Sequence, residues 1–335
     1  MKAIVTGGAG FIGSHVVDSL IEAGLTVVAL DDLSGGSRDN VNPLASFVEG
    51  SILDHDLING LFERHGFDYV FHLAAYAAEG LSHFIKRFNY QNNVVGSMNL
   101  IDAAVNHDAK CFVFTSSIAV YGANQLPMTE DMVPAPEDSY GIAKHVVERE
   151  LAITHDIFGL PYIVFRPHNV YGARQNIGDA YRNVIGIFMN EIMQGRPLTI
   201  FGDGEQTRAF SDIGDVAPVI ARSVFVPEAY CEIFNVGADE PYSVNRLAAE
   251  VAHAMGTTAV VRHLPPRHEV MHAYAAHDKA SRVFGSRAGT GLRDGLTRMA
   301  TWAREVGSRR SQPFRDIEIR RRLPSAWLEE SGKRA

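Results

Sequence analysis

The stretch Val5-Thr6-Gly7-Gly8-Ala9-Gly10-Phe11-Ile12-Gly13 constrains this chain more than any other part of it. It joins a short apolar run, residues 2–6, to a helical pattern, residues 11–23, so the glycines stand between the end of a strand and the start of a helix. Glycines at such a junction permit a tight turn and let backbone N–H groups approach a pyrophosphate at the helix N-terminus. A glycine triplet alone is weak. Here a second apolar run, residues 26–30, follows and ends in Asp31-Asp32, the interval at which an acidic side chain meets the ribose of a bound dinucleotide. A carboxylate there repels a 2′-phosphate, so NAD is expected over NADP, with Arg38 facing solvent on the following loop.

The pattern continues as alternating strands and helices. Residues 46–49, 68–73, 111–115 and 162–165 read as strands, and residues 57–65, 97–105 and 139–158 as helices. Alternation at these lengths predicts an α/β fold with a doubly wound parallel sheet and helices on both faces. Ligands bind such sheets beyond the carboxyl ends of the strands. The glycine loop, Asp31, Leu73–Ala75 and Ser116-Ser117 all fall at those ends. From Arg166 onward the pattern loosens into mixed helices, short strands and turns, as suits a smaller substrate lobe.

Tyr140 and Lys144 lie four residues apart in the helix 139–158 and so share a face. An ammonium beside a phenol favours the phenolate, so Tyr140 is expected to ionise below its ordinary ~10 and to accept a proton from a hydroxyl group. With a dinucleotide loop upstream and Ser117 at a strand end, this describes a site that moves a hydride and a proton.

The formal net charge is −8, and the basic clusters Arg309-Arg310 and Arg320-Arg321-Arg322 are short, so nucleic acid is not an expected partner. No apolar run approaches a membrane span of ~20 residues, and the first residues enter a strand with no signal peptide, so a cytoplasmic protein is expected. Cys111 and Cys231 lack metal spacing, and both are expected buried and inert in a reducing compartment.

Thr6-Gly-Gly-Ala-Gly-Phe-Ile-Gly13, His72-Leu-Ala-Ala75, Thr115-Ser-Ser-Ile-Ala-Val-Tyr-Gly122 and Tyr140-Gly-Ile-Ala-Lys144 together resemble the extended short-chain dehydrogenase/reductase superfamily. Arg166-Pro-His-Asn-Val-Tyr-Gly172 and Phe201-Gly-Asp-Gly-Glu-Gln-Thr-Arg208 narrow the resemblance to its nucleotide-sugar epimerases and dehydratases. The resemblance runs over at least residues 1–280. It implies a Rossmann-type domain over residues 1–165, with segments near 209–236 packing back on it, and a mixed α/β nucleotide-sugar lobe over residues 166–330. It implies NAD held by Gly7, Gly10, Phe11, Ile12 and Gly13, by Asp31, Asp32 and Ser34, by Ser51 and Ile52 at adenine, and by Leu73, Ala74, Ala75 and Ser116. Asn92 matches the asparagine that supports the active-site helices. Ser117, Tyr140 and Lys144 would be the catalytic triad: Ser117 on the sugar hydroxyl, Tyr140 as base and later acid, Lys144 on the nicotinamide ribose. A homodimer through the helices near 92–105 and 139–158 is also implied.

The reaction within the family is read from a departure. Dehydratases place an acidic pair, decarboxylases a glutamate and 3,5-epimerases a cysteine where this chain has Ile118, Ala119 and Val120. A small, non-ionisable filling matches the 4-epimerases, in which a transient 4-keto sugar takes its hydride back on the other face; the alternatives are another nucleotide-sugar-modifying member of the family, a dehydratase or an epimerase at another carbon, or a non-catalytic NAD-binding protein. By the same resemblance the substrate is a UDP-hexose, met by Asn169, Asn183, Val184, Arg208 and Arg267, with His168 an ambiguous neighbour and residues 198–201 flanking the base. Ala273 stands where bulk controls entry of a 2-acetamido group. Two further departures remain open. Ser51-Ile52 replaces an aspartate-led pair at adenine. Glu79 and His83 either project into the sugar pocket or form a solvated acid–base pair.

Overall fold

The structure, a computed structural model, describes residues 1–267, 269–285, 289–310, 314, 316–324 and 327. The expected end of the second lobe at 330 lies outside the described residues. In chain order the first half comprises β1 (Lys2–Thr6), α1 (Phe11–Glu22), β2 (Thr26–Asp31), β3 (Ser46–Glu49), α2 (His55–His65), β4 (Tyr69–His72), the short α3 (Glu79–Ser82) and α4 (Lys86–Tyr90), a π-helical turn (Gln91–Val95), α5 (Gly96–Asn106), β5 (Cys111–Thr115), α6 (Ser139–Phe158) and β6 (Tyr162–Pro167). The second half comprises β7 (Val170–Tyr171), α7 (Val184–Met193), β8 (Leu198–Phe201), β9 (Thr207–Ala209), β10 (Ser211–Asp212), α8 (Ile213–Arg222), β11 (Glu232–Val236), β12 (Pro241–Ser243), α9 (Val244–Ala254), β13 (Val261–Leu264), β14 (His272–Ala273), α10 (Asp278–Phe284) and α11 (Leu292–Val306).

Seven parallel strands form the central sheet in the order β3-β2-β1-β4-β5-β6-β11. The order reverses between β1 and β4, and the crevice at that switch point is where such sheets take a ligand. Strands β4 and β5 are buried along their whole length, which is why they read as unbroken apolar runs. One face packs Val16, Val17 and Leu20 of α1 and Val216, Ala217 and Ile220 of α8 into a single core. The other packs Ile58 and Leu61 of α2, Leu100 of α5 and Val147 and Leu151 of α6. Each of these valine, leucine and isoleucine side chains stabilises the fold by about 1.5–3 kcal/mol. Helix ends follow local chemistry: the Asp54 side chain accepts from Leu57 N (3.0 Å) to start α2 two residues earlier than periodicity indicates, and Gly159 (φ 76°) closes α6. A third core unites α7, α9 and α11 of the lobe through Phe188, Leu247, Leu296 and Met299.

Two features behind the sheet edge matter later. Arg166 at the end of β6 forms a bidentate pair with Glu148 of α6 (Nε–Oε1 2.9 Å, Nη2–Oε2 2.6 Å), with only 2% and 4% of the two residues exposed. And the C-terminal segment folds back on α3 and α4. The Glu318 carboxylate accepts from Arg87 N (2.8 Å) and Phe88 N (2.9 Å), while Phe314, Leu323 and Trp327 join Leu81, Ile85 and Tyr181 in one apolar cluster. Cys111 is buried as expected; Cys231 is only partly so, in a left-handed conformation (φ 61°) with Sγ 3.5 Å from His155 Nε2.

Candidate active site

A cleft of about 460 Å³ opens at the carboxyl ends of the central strands. Gly7, Gly10, Phe11, Ile12 and Gly13 line its floor. Gly7 takes φ +70°, and a Cβ on Gly13 would lie 2.0 Å from Gly7 O, so neither place admits a side chain. No side chain caps α1, which leaves its N-terminus facing the cleft. Asp31 lies beside it with Asp32 and Ser34. Its carboxylate accepts from Ala9 N (3.0 Å) and Leu33 N (2.8 Å), and burial pushes it above its ordinary pKa. Arg38 faces outward to Glu49 and over Phe47, as expected, and so offers no cation for a 2′-phosphate. Leu73, Ala74, Ala75, Ile52 and Ser116 line the same wall, and the buried Thr115 Oγ1 at the cleft has no hydrogen-bond partner. Ser51 differs from expectation. It is not among the cleft-lining residues, because its Oγ accepts from Leu53 N (3.2 Å) in a local turn.

Ser117, Tyr140 and Lys144 come together in this cleft, with the Ser117 side chain near enough to the Tyr140 phenol to favour its ionised form. The acidified phenol is not found. Burial first, and then the Glu79 carboxyl, hold the Tyr140 pKa well above its ordinary value. Lys144 Nζ donates to Thr115 O (2.7 Å) and lies 4.6 Å over the Phe114 ring but 5.7 Å from the centre of the Tyr140 ring. Burial pulls its pKa down to about 7, against the opposing charge of Glu148. A dry environment thus disfavours both ions, which spacing on a helix does not reveal.

The scaffold behind Tyr140 also corrects an assignment. Asn92 lines the cleft, but the bonds tying the helices together come from its neighbours. Asn89 Nδ2 donates to Ser139 O (2.7 Å), and Asn93 Nδ2 donates to Asn89 Oδ1 (2.8 Å) and to Tyr76 O (3.2 Å). The π-helical turn Gln91–Val95 carries an extra residue per turn and so rotates Asn93, not Asn92, inward.

At the other end of the cleft, Asn169 (φ 39°), Asn183, Val184, Arg208, Arg267 and Ala273 all line the wall with Thr199–Phe201 of β8. Asn183 (φ 65°) precedes the first turn of α7. Arg208 already donates to Thr207 O, Met271 O and Val270 O (2.6–2.9 Å) and sits 3.6 Å from Glu269. Arg267 lies over the Phe201 ring (4.7 Å), and its buried Nε has no hydrogen-bond partner. His168 touches the cleft but spends both ring nitrogens on protein. Nδ1–H donates to Ala209 O (3.1 Å), so Nε2 must accept from His277 Nε2–H (2.9 Å). Burial, then His277, lower its pKa to about 3, so it offers a substrate neither a proton nor a lone pair. Glu79 lines the cleft. His83 does not; it lies beyond the end of α3, where its charge acts on Asp138. Sequence reasoning missed Tyr76 and Arg182, whose guanidinium lies 4.6 Å from the centre of that ring and pairs with Asp179 (2.7 Å). The Asp179-x-x-Arg182 spacing was the available signal.

The chain matches the model of the NAD dependent epimerase/dehydratase family over residues 3–237. It is 35% identical over 302 residues to a putative UDP-glucose 4-epimerase of Methanocaldococcus jannaschii, covering 89% of this chain and 97% of that one. Among solved structures it resembles a Thermotoga maritima UDP-glucose 4-epimerase with UDP-glucose (TM-score 0.87, 35% identity, 91% of this chain, 99% of that one). It also resembles a Thermus thermophilus UDP-glucose 4-epimerase in complex with NAD (TM-score 0.85, 30% identity, 90% and 98%). No helix among the described residues is long and apolar enough to cross a membrane.

Proposed function

This chain belongs to the NAD dependent epimerase/dehydratase family, and from that premise we propose that it is an NAD-dependent nucleotide-sugar 4-epimerase acting on a UDP-hexose of the UDP-glucose/UDP-galactose type. One observation carries the choice of reaction. Ser117, Tyr140 and Lys144 share a cleft with the glycine loop, while the adjoining turn presents Ile118 and Ala119 and turns Val120 into the core. That turn itself offers no acid to eliminate water once a ketone has formed.

The residues fit NAD: a cradle closed to side chains at Gly7 and Gly13, an uncapped helix N-terminus, a carboxylate at the ribose position and an orphaned hydroxyl at Thr115. Gly10, Phe11 and Ile12 would meet the pyrophosphate, Asp31 the adenosine ribose, and Ile52 the adenine. Bound there, NAD supplies a ring that takes a hydride from the sugar and returns it. The protein handles the proton. Tyr140 accepts it from the sugar 4-hydroxyl and later gives it back, Ser117 orients that hydroxyl, and Lys144 supplies the cation that offsets the phenolate. Arg208, Arg267 and Asn169 would bind the diphosphate, with β8 beside the base. Asp31→Asn should shrink the preference for NAD over NADP by about tenfold or more, read by fluorescence titration of both cofactors.

Two coarser assignments accompany this reading. Residues 1–165 are the cofactor domain, with segments near 209–236 packing back on it, and the other described residues from 166 form the substrate lobe, apart from the C-terminal segment that packs on α3 and α4. The partner is a second copy of the chain through α5 and α6, supported by the exposed apolar side chains Val95, Ile142, Ile153, Ile157 and Phe158. The test of function is incubation with UDP-glucose and other UDP-, GDP- and dTDP-sugars, with products read by NMR. UDP-galactose should appear without accumulation of reduced cofactor; a product that has lost water, or stoichiometric NADH, would refute epimerisation.

A further inference from the structure

Glu79 is the first residue of α3 and faces the cleft near Tyr140. Two hydrogen bonds fix the relation between the two elements: Ser82 Oγ donates to Glu79 O (2.6 Å) and accepts from Tyr140 N (3.2 Å). Glu79 is thus tied to the residue that must meet the sugar hydroxyl. Asp138, whose side chain caps α6 through Gly141 N (2.7 Å), lines the same end of the cleft. The charged groups acting on Glu79 are Asp138, Arg208, Glu269 and Arg267. Glu269 already engages both arginines (3.6 and 3.3 Å), and the diphosphate would take the rest of their charge. Arg182 is held by Asp179. At the sugar end Asp138 feels the charge of His83, while Glu79 forms no ion pair among the described residues.

We infer, resting on the epimerase reading above, that Glu79 selects the sugar: it accepts hydrogen bonds from the hydroxyls of a neutral hexose and excludes hexoses that carry a carboxylate, the uronic acids. Selection by repulsion suits this geometry, because a like charge in a partly desolvated cleft is costly whereas a hydroxyl is welcome. Glu79 is an exposed residue on the cleft wall, where the surrounding protein and then Asp138 still push its pKa up, so the exclusion weakens as pH falls and Glu79 becomes neutral.

The experiment compares UDP-glucose with UDP-glucuronate on the NAD-loaded wild type and on E79Q, by steady-state kinetics and by calorimetric titration. The wild type should favour UDP-glucose strongly in kcat/KM. E79Q, whose side chain has the same shape without the charge, should narrow that ratio by about tenfold or more, chiefly by tighter UDP-glucuronate binding. Between pH 8 and pH 6 the wild-type ratio should fall while that of E79Q stays flat. A wild type that accepts both sugars equally, or an E79Q ratio unchanged in kinetics and in binding, overturns the inference while leaving the epimerase reading in place. Binding and turnover of neither sugar sink both.

Discussion

Tyr140→Phe should retain the fold and both ligands and lose about 10³- to 10⁴-fold in kcat. The residue is 5% exposed, with only its cleft-facing edge open, and phenylalanine reproduces its shape. The hydroxyl's interaction with the Ser117 side chain is worth no more than about 1 kcal/mol to stability, so thermal unfolding should scarcely move. Catalysis has no such reserve. The hydroxyl is the proposed acceptor and donor of the sugar proton, and Lys144 Nζ is turned toward Thr115 O and cannot replace it. Two groups set the pH profile: the elevated phenol makes wild-type kcat climb with pH, loss of the Lys144 cation above about pH 7 opposes that climb, and the residual rate of the variant should not show the climb. Titration of NAD and UDP-glucose into the variant, beside kcat from NMR time courses, separates lost chemistry from lost binding. Turnover by Tyr140→Phe at the wild-type rate would remove the proposed base.

Glu148→Ala should be the most destabilising single change near the site, costing about 3–5 kcal/mol by leaving a buried guanidinium unpaired. Arg166 is 2% exposed, already has one orphaned nitrogen (Nη1) and lies 4.7 Å over the Tyr121 ring, so it has nowhere to seek water. The unfolding temperature should drop on the order of 10 °C, and the denaturant midpoint with it. The pH dependence follows from the Glu148 carboxyl. Burial alone would raise its pKa, but the two hydrogen bonds and the charge of Arg166, with His145 Nδ1 3.7 Å away, outweigh burial and hold it below the ordinary 4.5. A carboxyl depressed by folding contributes stability that is present above pH 4.5 and is lost as pH falls through its folded value. The wild type should therefore lose part of its stability in that acid range, and Glu148→Ala should lack that part of the loss. Glu148 also supports the charge of Lys144, so the variant that folds should show a lower pH limit for loss of the lysine's cation. An unfolding midpoint within 1 kcal/mol of wild type, by the linear denaturant analysis, would show that the ion pair is dispensable.

The sheet was legible because its strands are buried on both faces, so continuous apolar runs such as Cys111–Thr115 declare themselves without periodicity. The cofactor end was legible for a related reason: glycine loop, strand-end acid and helix start are consecutive in sequence, and a Cβ at Gly13 cannot be fitted at all. What escaped depends on distance or phase. Asn93 replaced Asn92 because one π-helical turn shifts the inward face by a residue, and no composition marks such a turn. The Tyr140 phenol is raised because burial and Glu79 of α3 oppose what Lys144 favours, a balance that spacing within one helix cannot contain. His168 was ambiguous because the group that occupies its second nitrogen, His277, lies 109 positions away.

The fold-back of Phe314, Glu318, Leu323 and Trp327 onto α3 and α4 has a consequence for the order of assembly. Glu318 reaches Arg87 across 231 positions, and Trp327 stacks edge-on against Phe84 and Tyr181. The wall that carries Glu79 therefore lacks its outer brace until these residues have left the ribosome. A nascent chain can assemble its seven-stranded sheet once β11 has emerged, while the wall that carries Glu79 is braced only after Trp327 has followed.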